Sequence, residues 1–120
     1  MNISLFPVLL WFNPNPTASF AAQTVDVNMS NTAFLIIQTY EFVGDSSRLT
    51  SFYNLIAING TTDISCNLIN PYNKSSSSLD AQMRSCTIQI VNNKITFGAG
   101  NGGRENRCVV PVAVYGMQIY

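Results

Sequence analysis

No stretch of this chain keeps apolar residues at the 3.6-residue spacing of an amphipathic helix for ten residues. Apolar residues instead alternate with polar ones or form short β-branched runs, cut by Asn, Gly, Ser and Pro. Alternation with period two is the spacing of a strand that buries one face. The pattern predicts an all-β domain of about eight strands, an antiparallel β-sandwich or jelly-roll-like fold. The 120 residues suffice for one core, so 1–120 is read as a single domain with no linker or internal repeat.

The strands follow from their punctuation. Ser4 to Phe12 is predicted as an edge strand, because Pro7 cannot donate to a ladder. The same apolar stretch, with Ser19-Phe20-Ala21 behind it, loosely imitates a signal peptide. No Lys or Arg precedes it and Pro7 interrupts it, so a first strand is the better reading. Asn13-Pro14-Asn15-Pro16 is a turn. Phe20 to Met29 is the second strand. Ala33 to Val43 is the third, and its run Phe34-Leu35-Ile36-Ile37 is expected of a strand covered on both faces. After a loop at Gly44 to Ser47, Phe52 to Ile58 and Ile64 to Ile69 are predicted to form a hairpin through Asn59-Gly60. Asn70 to Asp80 is predicted as the longest loop, with a four-serine run from Ser75 to Ser78. Ser85 to Val91 carries Cys86, Ile88 and Ile90 inward, and Asn92-Asn93 turns it into Lys94 to Phe97. A glycine-rich loop, Gly98 to Asn106, leads to a long last strand from Cys108 to Tyr120.

Charge bounds function. Charged residues are 10% of the chain, against about 25% in an average domain. Six basic residues balance six acidic ones. No basic stripe exists to neutralise phosphates, so nucleic acid is not an expected partner. No apolar run reaches 18 residues, so membrane insertion is not expected either. Low charge with 47% hydrophobic residues suits a homo-oligomer, because interface cores are depleted in charge. It also suits a glycan-binding surface of neutral hydrogen-bonding groups.

Catalytic patterns are missing. Without histidine there is no Ser-His-Asp or Cys-His arrangement, and the six carboxylates are scattered. The chain is therefore not expected to be an enzyme or to need a cofactor. The three cysteines, Cys66, Cys86 and Cys108, form no C-x-x-C pair and are read as buried thiols, with one disulfide plus a free cysteine as the alternative. Gly98 to Gly103 lacks the Lys-Ser/Thr of a phosphate loop and is read as a wide hairpin. Asp45-Ser46-Ser47 and Asn59 to Asp63 are read as turns rather than calcium loops. The formal sequons at Asn2, Asn28, Asn59 and Asn73 are expected by chance in so Asn-rich a chain. Among the aromatics, Trp11, Tyr40, Tyr53 and Tyr115 are assigned to core or subunit interface. Tyr72, with Asn70 and Asn73 in the long polar loop, is the candidate ligand contact, and Arg104 and Arg107 are the close basic pair that joins them.

Three ordered stretches carry a resemblance. Leu10-Trp11-Phe12-Asn13-Pro14-Asn15-Pro16-Thr17 runs on to Phe20-Ala21-Ala22-Gln23-Thr24-Val25. Ile95-Thr96-Phe97-Gly98-Ala99-Gly100 follows, and Asn106, Pro111 and Tyr115-Gly116 close the series. Together they resemble a domain of tail-fibre and other virion proteins of phages infecting Gram-positive and gut bacteria. Phe12 departs from the small polar or acidic residue common there, and Met117 to Tyr120 extend past the usual end. The resemblance implies a virion structural protein, a homo-oligomer with a trimer favoured, that meets other virion proteins and adheres to the bacterial surface through a glycan. It implies no catalytic or cofactor residues. The family domain usually ends a longer fibre, so a copy that opens at Met1 is equally compatible with capsid decoration or a head fibre. A secreted carbohydrate-binding domain is a further alternative. In the attachment reading, loops at 44–51, 70–80 and 98–107 present the binding surface.

Overall fold

The computed structural model describes residues 5–16, 20–43, 51–58, 63–75, 78–98 and 107–119. They form eight strands: β1 (Leu5–Phe12), β2 (Gln23–Asp26), β3 (Thr32–Val43), β4 (Ser51–Ala57), β5 (Asp63–Ser75), β6 (Ser78–Val91), β7 (Lys94–Phe97) and β8 (Arg107–Ile119). Two four-stranded sheets result, ordered β1-β8-β3-β4 and β2-β7-β6-β5. Every ladder is antiparallel. The expected β-sandwich is the fold. β1–β8 and β2–β7 nest the first strands against the last, as in a jelly roll, while β3–β4 and β5–β6–β7 pair as local hairpins.

Alternation explains the core. Leu35 and Ile37 of β3 and Val109 and Val114 of β8 face Leu68, Ile90, Ile95 and Phe97 of the other sheet, all fully buried. β1 lies at a sheet edge, where Pro7 sits without breaking a central ladder. At one flank Trp11 packs on Phe20 and Phe97, with ring centroids 6.5 and 5.3 Å away. Phe20 and Phe97 meet edge-on at 5.6 Å, a favoured aromatic geometry. Asn13 then ties the turn after β1 to β8: its backbone N–H donates to Val112 O (2.8 Å) and its Nδ2 to Pro111 O (2.9 Å).

Four expectations are corrected. The 70–80 loop is largely strand: β5 runs to Ser75, β6 starts at Ser78, and Ser75 pairs with Ser78. Polar composition suggested a loop, but continuous pairing from Asp63↔Val91 outward satisfies the backbone and overrides it. The β4–β5 hairpin does not form. β4 pairs with β3 and β5 with β6, so the two are edge strands of opposite sheets. Residues 59–62 lie outside the described set. Asn-Gly permits a tight reversal, but burial of Ile56 and Leu68 on facing sheets decides the pairing. The second strand is shorter than read: Phe20 and Val27 are buried without belonging to β2. Finally, β3 is fully covered on one face only: Phe34 and Ile36 are half-buried on the outer side of their sheet.

The open flank between β4 and β5 is closed by a side chain. Asn54 of β4 accepts from Ile69 N–H through Oδ1 (2.8 Å) and donates from Nδ2 to Ile69 O (3.1 Å). One amide thus imitates a neighbouring strand for β5. Nδ2 also reaches Ile37 O at 3.3 Å. Beside it the buried Thr39 hydroxyl donates to Asn70 Oδ1 at 2.9 Å. These bonds satisfy polar groups that would otherwise be stranded between the sheets.

Candidate binding surface

The two outer faces differ in chemistry. On the β2-β7-β6-β5 sheet, alternation sends Ile88, Ile90, Ile95 and Phe97 inward and leaves hydroxyls and amides outside. Cross-strand register aligns Thr24, Thr96, Gln89 and Ser65 in one row over all four strands. The Thr24 and Thr96 hydroxyls bond at 3.0 Å. A hollow of about 480 Å3 beside this row is lined by Ser65, Asn67, Thr87, Gln89, Thr96 and Gly98, with Cys66 and Ile88. Gly98 shapes it. Its N–H donates to Thr87 O at 2.8 Å, and a Cβ there would collide with the Thr87 hydroxyl.

A second hollow of about 560 Å3 adjoins it through Thr96 and reaches the Asn92-Asn93 turn, Asp26 and Lys94. Asn92 adopts φ 54°, a left-handed conformation that Asn tolerates. Asn93 O accepts from Val27 N–H (2.9 Å) and its Oδ1 from Met29 N–H (3.2 Å), which holds the segment after β2 against the turn. Lys94 and Asp26 stand 3.7 Å apart, both well exposed, so their pairing contributes little to stability. Between these charges and Gly98 the surface is neutral. Hydroxyls and amides both donate and accept, which matches the hydroxyls of an uncharged polyol. Burial raises the Cys66 thiol above its ordinary pKa, so at neutral pH it lies beside the hollow as a protonated, weakly reactive group.

Of the residues expected to contact ligand, Asn70 alone has a described side chain. Asn70 is not on the surface: it is fully buried and bonded to Thr39. Tyr72 and Asn73 belong to β5 rather than a loop, opposite Gln82 and Ala81. Their side chains lie outside the described set. So does the side chain of Arg107, whose backbone opens β8 opposite Val43. Arg104, and most of the loops at 44–51 and 98–107, also fall outside it. Cys66 is a free thiol, and Cys86 is buried with its thiol donating to Gly98 O at 3.1 Å; the Cys108 side chain is not described. Among the described residues no group of His, Cys, Asp or Glu could hold a metal ion.

On the β1-β8-β3-β4 sheet the outer face is apolar. Leu9, Tyr115, Ile36 and Leu55 form one row, and Phe12, Ala113, Gln38 and Tyr53 the next. Neither row contains a charge. Fold and faces together define a class: an antiparallel β-sandwich with one polar face and one face that is apolar and, among the described residues, uncharged. The chain matches no protein-family model, and no curated protein is significantly similar to it.

Proposed function

We propose that this chain is a phage virion structural protein of the fibre or receptor-binding type. It assembles as a homotrimer and holds a neutral polar surface toward a bacterial glycan. One observation carries the reading. The stretches that resemble the virion domain, separated in sequence, form one packed unit. Trp11 and Phe20, from the two halves of the first stretch, pack on each other and on Phe97 of the second. Gln23, Thr24 and Val25 pair with Phe97, Thr96 and Ile95. Asn13 bonds to Pro111 O. Residues that specify one another's positions are what a family signature of this fold would consist of. The role they support is architectural.

The glycan half of the proposal rests on the Thr24-Thr96-Gln89-Ser65 row and its hollow. A weak single site there would gain avidity from repetition in a trimer. The test is a pull-down of the purified chain on intact host cells, purified host cell-wall polysaccharide and virions stripped of fibres. Retention on cells and polysaccharide, lost on substituting Gln89→Ala with Thr96→Ala, supports attachment. Retention on virion heads alone would replace attachment with capsid decoration.

A further inference from the structure

We infer that the outer face of the β1-β8-β3-β4 sheet is the surface through which copies of this chain bind one another. The inference deepens the homotrimer reading proposed above and rests on it. It begins from β3. Phe34-Leu35-Ile36-Ile37 has the apolar run of a strand covered twice, yet the chain covers only the side of Leu35 and Ile37. Among the described residues the other side is half-buried at Phe34, Ile36 and Tyr40 and exposed on the edge strands at Leu9, Phe12, Tyr53 and Leu55.

The size of that face identifies what it needs. Leu5, Leu9 and Phe12 of β1 are 47, 51 and 61% exposed, Ile119 of β8 is 45%, and Tyr53 and Leu55 of β4 are 60 and 67%. At roughly 200 Å2 for a fully exposed side chain of this size, these six alone leave about 650 Å2 of largely apolar surface. The largest patch on a typical monomer is about 300–600 Å2, and a stable association buries about 800 Å2 per partner. The half-buried side chains between the two edges supply the difference.

The occupant is a second copy. Among the described residues the face holds no charged residue, so placing it against its own kind brings no like charges of these together. A partner chosen by charge would find nothing to read. The chain as a whole carries only 10% charged residues, the composition of a protein whose surface is hidden by assembly. The opposite sheet, with Asp26, Lys94 and the Thr24 row, stays outward in the same arrangement.

Sedimentation velocity tests this on the wild type and on Leu9→Lys and Leu55→Lys, which place a charge at the two edges of one row. Gln89→Lys, on the opposite sheet, is the control. The wild type and control are expected near three times 13.2 kDa, and the lysine variants at 13.2 kDa with at least 100-fold weaker association. Circular dichroism checks that each variant folds. Phe12→Ser and Tyr53→Ser, which remove apolar area without adding charge, answer the same question if a lysine variant does not. Variants that keep the wild-type mass overturn the inference while leaving the oligomer intact through another surface. A wild type that is monomeric at every concentration overturns both. A dimer dissolved by Leu55→Lys upholds this face and contradicts the trimer.

Discussion

Asn54 is the residue on which most of one flank depends. Its amide bonds to both backbone groups of the half-buried Ile69 between the two sheets. Asn54→Leu keeps the branched shape and deletes both bonds, leaving the part-buried Ile69 N–H without its side-chain acceptor, while Ile69 O keeps the Thr39 hydroxyl at 3.2 Å. The expected cost is about 1–3 kcal/mol, read as a lower urea midpoint. Asn54→Ala, which also opens a void, should cost at least as much. Cys66 contributes a pH dependence. Burial raises its pKa, so the folded chain holds this proton more tightly than the unfolded chain does. Stability from this group is whole below the ordinary thiol range and falls as pH rises through about 8.5 and above. Urea midpoints at pH 7 and pH 9.5 should therefore differ more in wild type than in Cys66→Ala.

At the scale of elements, Lys94 to Phe97, the Asn92-Asn93 turn and the inward set Cys86, Ile88 and Ile90 were legible, since alternation and turn chemistry agree there. The turn gives a prediction: Asn92→Gly should leave stability nearly unchanged, whereas Asn92→Val should cost about 1–2 kcal/mol in thermal unfolding, because φ 54° suits no β-branched residue. What the sequence hid has physical causes. Asn59-Gly60 describes a local reversal, while the partner of β4 is chosen by distant burial, and that partner is β3. The polar stretch after Asn70 has poor strand propensity, but its pairing from Pro71↔Met83 to Ser75↔Ser78 continues a ladder already nucleated. The candidate site was the least legible part. A row such as Thr24-Thr96-Gln89-Ser65 is assembled by register from three separate segments, and no spacing in the sequence announces it. Asn54 did leave a signal: a polar residue at the inward position of the Phe52, Asn54, Ile56 series.

The whole molecule is a sandwich whose two outer surfaces differ in chemistry. One is polar; the other is apolar, uncharged among the described residues, and its exposed apolar area exceeds what a solitary domain ordinarily shows. An association through the apolar face should be nearly indifferent to salt, because it contains no ion pair to screen. Raising sodium chloride from about 0.05 to 0.5 M should leave the oligomer mass unchanged, whereas a charge-driven contact would weaken. The most direct measurement of the central claim is the mass of the purified chain by light scattering over a wide concentration range. The account predicts a stable species near three times 13.2 kDa, and a strict monomer at 13.2 kDa throughout would contradict it.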